Sequence, residues 1–255
     1  MIHVAALQGT PNHSLPIDQI VKQVLHEAEA YLDAGIDALM IENMHDVPYL
    51  KVKVGPEIVA SMTAIAVALR NITPKPLGIQ VLAAANKQAL AVAQAAQFDF
   101  IRAEGFVFGH LADEGYIESC AGKLLRYRKA IGAENIAIYT DVKKKHSSHA
   151  LTADISLAET VKTTEYFLSD GIIVTGASTG EAALIEEVEM ARRSTKLPVI
   201  IGSGITAENL KTYWPFADAF IVGSSLKVDG NWRKQVEKER VINLMKQVQI
   251  LRSNE

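Results

Sequence analysis

Eight times along this chain a short apolar run breaks into a polar or glycine-containing loop and gives way to a segment of helix length. The runs are 2–7, 38–41, 77–81, 98–102, 136–140, 171–174, 199–201 and 219–222. Most are continuously apolar rather than alternating, the pattern of parallel strands covered on both faces. The helical segments are 18–34, 56–70, 87–96, 118–131, 156–168, 181–194, 207–213 and about 235–251. In the first, Ile20, Val24, Ala28 and Leu32 recur every four residues, Ile17, Val21 and Leu25 widen the stripe, and Gly35 ends the helix. Strict alternation of strand and helix demands a parallel sheet. Eight repeats in 255 residues favour closure over an open doubly wound sheet. The expected fold is therefore α/β, a single (β/α)8 TIM barrel domain over residues 1–255, a fold that takes about 250 residues. The longer loop 103–117 is a candidate lid.

Composition narrows the function class. The chain is 49% apolar and 22% charged, enough apolar content for a large core. A formal net charge of −3 gives no electrostatic case for nucleic acid. No apolar run reaches the ~18 residues of a membrane span, so integral membrane association is not expected. The one cysteine, Cys120, excludes an intrachain disulfide and fits a reducing compartment. Beside Ala121 it reads as a packing residue. The expected location is cytoplasmic, or an organelle matrix if a presequence precedes the first strand. A homo-oligomer is compatible with this composition.

The last two strands carry the most chemical information. Each runs straight into a small-residue loop, Gly202-Ser203-Gly204 and Gly223-Ser224-Ser225. Glycines let backbone N–H groups approach a phosphate, and a following helix end adds positive potential. Thr206 is placed to cap such a helix. The loops after strands 7 and 8 of a barrel often hold a phosphate. The N–H groups of Gly204, Ser224 and Ser225 are the expected cradle, with Gly223 in the same turn and Gly176 or Ala177 from the strand-6 loop adding to it. The Ser203 and Thr175 hydroxyls could supply further hydrogen bonds. Substituting Gly204 by Asp is expected to block the anion while leaving the fold intact.

Barrel chemistry belongs at the C-terminal strand ends. These supply His3, Glu42 and Asn43, Gln80, Arg102 and Glu104, and then Asp141, Lys145 and His146. Charged groups at the ends of apolar strands are costly unless paired or used. The catalytic candidates are Glu42, Asp141, Lys145, His146 and Arg102, with Glu42 or Asp141 as base and Lys145 or His146 as oxyanion stabiliser or acid. Asn43, Gln80 and Glu104 join the binding set. The plainer alternatives are an interior Glu42–Arg102 ion pair, a hydrogen-bonded core role for His3, and a solvated loop at Lys143 and Lys144. Asp113 and Glu114 read equally as lid groups or as ordinary surface acids. A Schiff base on Lys145 is disfavoured by its position beyond the strand. His146 and His149 lack a third ligand, and neither a metal nor a cofactor is expected. The reading is an enzyme acting on a small phosphorylated metabolite, a sugar phosphate or nucleotide, by lyase, isomerase or nucleosidase-like chemistry.

A resemblance covers nearly the whole chain. The stretches MIHVAALQGTP (1–11), IEN (41–43), VGPE (54–57), PLGIQVL (76–82), DFIR (99–102), LLRYR (124–128), TDV (140–142), KH (145–146), IVTGASTG (173–180), GSG (202–204) and residues 220–230 resemble, in order, the BtpA/SgcQ family. That resemblance implies a TIM barrel of the ribulose-phosphate-binding type. It also implies two functional readings. One branch is associated with sugar metabolism or nucleosidase chemistry, and the cyanobacterial namesake with photosystem I biogenesis at a membrane surface. The second makes a non-enzymatic assembly factor, peripheral to a membrane, the alternative. The chain departs from many members at Ala83-Ala84-Ala85, where they are polar, and at 103–110, which is more aromatic; it is similar there to the branch shared with eukaryotes. A barrel mouth filled by apolar side chains would favour the scaffold, and a phosphate or sulfate ion lodged at Gly204 and Ser224, facing Glu42 and Asp141, the enzyme.

Overall fold

The computed structural model describes residues 1–176 and 178–254. Eight parallel strands form the sheet: β1 (Ile2–His3), β2 (Leu39–Glu42), β3 (Leu77–Gln80), β4 (Phe100–Ala103), β7 (Ala137–Val142), β9 (Gly171–Val174), β10 (Val199–Ile201) and β11 (Ala219–Phe220). The intervening β5 (His110–Ala112), β6 (Gly115–Ile117) and β8 (Ser147–Ser148) form a small antiparallel sheet of their own, in the order β6-β5-β8. The eight parallel strands pair in chain order, and at the seam the Met1 nitrogen donates to the Val222 carbonyl at 2.8 Å. The fold is a (β/α)8 barrel.

The register explains why polar groups converge. Ile2, Ile41, Ile79, Ile101 and Ile138 are partners across five consecutive strands. All five are buried in the apolar core. Successive residues of a strand face opposite sides of the sheet. The residues that follow the first four, His3, Glu42, Gln80 and Arg102, therefore point the other way, into the barrel. His3 pairs with Glu42 and Glu42 with Gln80 in that register. A dipeptide of isoleucine and a polar residue, repeated on four adjacent strands, thus builds a polar row at the C-terminal rim.

Helices pack outside, beginning with α1 (Ile17–Asp33), which buries Ile20, Val24, Ala28 and Tyr31. In α2 (Pro56–Ile72) proline occupies the first turn, where its missing N–H costs nothing, and Ile58, Met62, Ile65, Ala66 and Leu69 face the sheet. The remaining helices are α3 (Asn86–Ala95), α4 (Ala121–Ala130), α5 (Leu157–Tyr166), α6 (Ile185–Ser194), α7 (Leu210–Tyr213) and α8 (Lys238–Arg252).

Two expectations are corrected here. The segment 103–117 is not an irregular loop: it contains the β5–β6 hairpin, and β5 pairs on its other side with β8 from the loop after β7. Three-residue strands give too little alternation to be read from sequence. The helix expected from 207 starts only at Leu210 and is one turn long. Thr206 caps a turn before it, its Oγ1 accepting from the Glu208 and Asn209 N–H groups at 3.2 and 3.3 Å. A helix that short contributes little dipole, so anion attraction at this end depends on loop N–H groups.

Candidate active site

The C-terminal rim opens into a cavity of about 620 Å³. Its walls carry His3, Glu42, Gln80, Arg102, Glu104, Asp141, Lys144, Lys145 and His146 together with the loops after β10 and β11. Ionisable groups stand in the mouth beside apolar ones, among them Met44, Leu82, Ile221 and Trp232.

Two ion pairs organise its floor. Arg102 grips Asp141 with Nε at 3.2 and 3.1 Å from the two carboxylate oxygens and Nη2 at 2.8 Å. Both side chains are almost wholly buried, at 6% and 1% exposure. Burial opposes the Arg102 charge, but Asp141, Glu42 and Glu104 outweigh it and hold the guanidinium above its ordinary pKa. Arg102 is thus charged at every working pH, and the forked geometry is that of an ion pair. Glu104 accepts from Lys144 Nζ at 3.1 Å and from the Ala84 N–H at 2.9 Å. Burial pushes its carboxyl up, but Lys144 and Arg102 reverse this and leave it below the usual range. Lys144 is therefore an interior partner of Glu104, not a solvated loop residue. Lys143 is likewise engaged, donating to the Ile155 carbonyl at 2.6 Å.

Glu42 and Lys145 remain over. The Glu42 carboxyl is buried and makes no hydrogen bond or ion pair with a described residue. Burial raises its pKa against the pull of Arg102 and Lys145. The expected alternative of a Glu42–Arg102 pair is not what forms. Lys145 Nζ also has no hydrogen-bonding partner among the described residues, although the residue's own N–H is anchored on Thr175 Oγ1 at 3.1 Å. Burial and the Arg102 charge lower its pKa to about 8. Gln80 Oε1 is buried without a partner on the same wall.

Opposite this floor, Gly204, Ser224 and Ser225 line the cavity, and their N–H groups donate to no described residue. Gly204 has φ +69°, and a Cβ there would lie 2.1 Å from the Ala182 nitrogen. Only glycine fits, so Asp at this position would disrupt the loop rather than merely repel an anion. Gly223 and Gly180 complete the turn walls, and Arg240 on α8 reaches the same end, its Nε paired with Glu237.

The two hydroxyls expected to face a ligand, Ser203 and Thr175, are spent on tying loops together, Thr175 by accepting the Lys145 N–H, and the Ser225 hydroxyl is spent likewise. Ser203 Oγ donates to the Glu181 carbonyl at 2.9 Å and accepts the Gly176 N–H at 3.2 Å. Ser225 Oγ donates to the Ile205 carbonyl at 2.6 Å. Thr175, Gly176 and Asn43 lie off the cavity wall. Asn43 bridges the Leu82 N–H and Asp46 at 2.8 and 2.7 Å, bracing the loops after β2 and β3. Ala177 lies outside the described residues.

His146 crosses the rim to Thr179, whose N–H donates to Nε2 at 3.2 Å, with the hydroxyl at 2.9 Å. His149 Nε2 faces the Lys144 carbonyl at 3.0 Å. His3 is held through Nδ1 to the Trp232 carbonyl at 3.1 Å, and burial lowers its pKa to about 3, so it is neutral. Nδ1 is then the donor, which leaves Nε2 an acceptor toward Gly223. Arg240 escaped the sequence reading because mixed charge on the last helix reads as a solvated face, and Trp232 because it follows the strand ends, in the segment between β11 and α8.

Architecture and site together define the class: a (β/α)8 barrel whose C-terminal rim carries an ionisable cavity closed on one side by glycine–serine loops. The chain belongs to the BtpA family, whose family model matches residues 1–250. An uncharacterised mitochondrial protein of Caenorhabditis elegans is 49% identical, covering 99% of this chain and 92% of its own. The photosystem I biogenesis protein BtpA of Synechocystis is 34% identical, covering 94% of this chain and 84% of its own. Among solved structures, thiamine phosphate pyrophosphorylase from Pyrococcus furiosus matches with a TM-score of 0.61 at 16% identity, over 92% of this chain and 93% of that one. Orotidine 5'-monophosphate decarboxylase from Methanocaldococcus jannaschii matches with 0.55 at 14%, over 96% and 98%. At such identities the likeness is one of fold. No helix among the described residues is long and apolar enough to cross a membrane.

Proposed function

We propose that this protein is an enzyme acting on a small phosphorylated metabolite, of the sugar-phosphate or nucleotide class, at a step that moves a proton on a carbon. The observation that carries this reading is the pairing of opposites across one cavity: an unengaged buried carboxyl, Glu42, faces loops whose N–H groups are also unengaged. The Gly204, Ser224 and Ser225 N–H groups and the Arg240 guanidinium take the phosphate. The reacting end extends to Glu42, which acts as base and then acid; a buried carboxyl of raised pKa suits both halves of that exchange. Lys145 is the unengaged nitrogen that meets an oxygen on the reacting carbon, and Arg102 with Asp141 fixes the electrostatics of the floor. With both Asp141 oxygens occupied by Arg102, isomerase or lyase chemistry fits better than nucleosidase-like hydrolysis needing two free carboxylates.

The ionisable groups in the mouth argue against the scaffold reading, in which an apolar face would do the binding. The name of the worm relative supports a mitochondrial location, although the residues alone point only to a reducing compartment. The test is thermal-shift screening with sugar phosphates and nucleotides beside their dephosphorylated forms. A ligand at 100 times its Kd adds about 2.7 kcal/mol, which for a chain of this size raises Tm by roughly 5–10 °C. Phosphorylated compounds are expected to shift Tm, and Arg240→Ala to abolish the shift. Equal shifts with and without the phosphate would overturn the reading.

A further inference from the structure

Of the basic groups on the cavity floor, Arg102 and Lys144 each have a carboxylate partner within hydrogen-bonding distance. Lys143, next in the chain, is tied to a backbone carbonyl. Lys145 alone among these has its amine uncommitted, although its backbone is pinned to Thr175. Its position beyond the end of β7 argues against a reactive role in sequence, but the chain turns back at positive φ on both sides of it, at Lys143 (+45°) and His146 (+52°), and delivers the side chain to the cavity wall. The acid-base group on the same wall, Glu42, is equally uncommitted. An uncommitted amine on a pinned backbone, a carboxyl lining the same cavity and two ion pairs that absorb the other charges are the parts list of covalent amine catalysis.

We infer that Lys145 forms an imine with a phosphorylated aldehyde or ketone whose phosphate rests on the Gly204 and Ser224 loops. This rests on the phosphate reading above and replaces the contact of Lys145 with the substrate oxygen by a covalent bond to the carbon that bears it. The neutral amine adds its lone pair to the carbonyl carbon, and the C=O π pair moves to oxygen, which takes a proton from Glu42. The nitrogen then loses a proton to the Glu42 carboxylate. The carbinolamine hydroxyl departs as water with that proton while the nitrogen lone pair forms the C=N bond; the sum is carbonyl, amine and the Glu42 proton giving protonated imine, water and the Glu42 carboxylate. Protonated on nitrogen, the imine withdraws electrons from the adjacent carbon, which is where Glu42 removes a proton. Burial beside Arg102 keeps a useful fraction of Lys145 neutral near pH 7.5, since its pKa lies at about 8.

The experiment is reductive trapping of the full chain with glycolaldehyde phosphate and sodium cyanoborohydride at pH 7.5, with glycolaldehyde as control, followed by intact mass and peptide mapping. The expected result is one adduct at Lys145, formed at least tenfold faster than with glycolaldehyde and suppressed by inorganic phosphate. Lys145→Arg, with its fold checked by circular dichroism, is expected to lose it. Adducts spread over surface lysines, or none at Lys145 while inorganic phosphate still raises Tm, would overturn the imine and leave the phosphate reading standing. An adduct at Lys145 that forms equally with glycolaldehyde and ignores phosphate would overturn the assignment of a phosphorylated substrate.

Discussion

Arg102 occupies both carboxylate oxygens of Asp141 at 2.8 to 3.2 Å, whereas the Glu42 carboxyl, lining the same cavity, is held by no described residue. Two acids that look interchangeable in sequence are thereby assigned different work. Asp141 neutralises and positions a guanidinium; Glu42 is available to a ligand.

Glu42→Gln is expected to reduce turnover of a phosphorylated substrate at least ~100-fold, the low end of general-base contributions. Its Tm should stay level or rise, because a buried, unpaired carboxyl is removed. Steady-state kinetics and a melting curve on the same preparation check both halves. Full turnover would remove Glu42 from the chemistry.

Asp141→Ala should lower stability by about 3–5 kcal/mol, since it leaves Arg102 charged, buried and alone. Urea denaturation measures this directly. An unchanged midpoint would mean that the guanidinium finds another carboxylate, Glu42 being the candidate within its field.

Lys145 predicts a pH dependence of known sign. Its folded-state pKa of about 8 lies below the ordinary lysine value of 10.5. Between those two values the unfolded chain carries a proton that the folded one has released, so stability rises with pH across that window. Below pH 8 the cost of the buried charge is fully present. Lys145→Met should lack this slope, and wild-type Tm should gain on that of the variant from pH 8 to 10. Parallel profiles would contradict the burial.

Gly204→Ala should destabilise by at least ~2 kcal/mol, combining an unfavourable φ with a Cβ driven into the Ala182 backbone. Ser224→Asp is the cleaner anion test, because the Ser224 hydroxyl makes no hydrogen bond with a described residue. It is expected to fold normally and lose phosphate-dependent stabilisation; retention of that stabilisation would move the anion elsewhere.

Much of this architecture could be read from residue order. Isoleucine followed by His, Glu, Gln or Arg at 2–3, 41–42, 79–80 and 101–102 already encodes an apolar face and a polar face on four strands. Gly35 ends α1 in the positive-φ conformation expected of it. What could not be read was pairing at a distance. Lys144 looks solvated until Glu104, forty residues earlier, is placed beside it. The Ser203 and Thr175 hydroxyls look available until the neighbouring loop claims them. Arg240 looks like one charge among several on a helix, because its nearness to the Ser224 loop depends on how α8 packs back on the rim.

The small sheet formed by β5, β6 and β8 joins the segment after β4 to the segment after β7 along hydrogen-bonded edges. Barrels are commonly diversified one rim loop at a time, with the scaffold indifferent to the exchange. Here the hairpin and the segment that follows Lys145 share one set of hydrogen-bonded edges. A graft of either one alone would leave the partner edge of β5 or β8 without its match, so a change of specificity at this rim is a change to both segments at once.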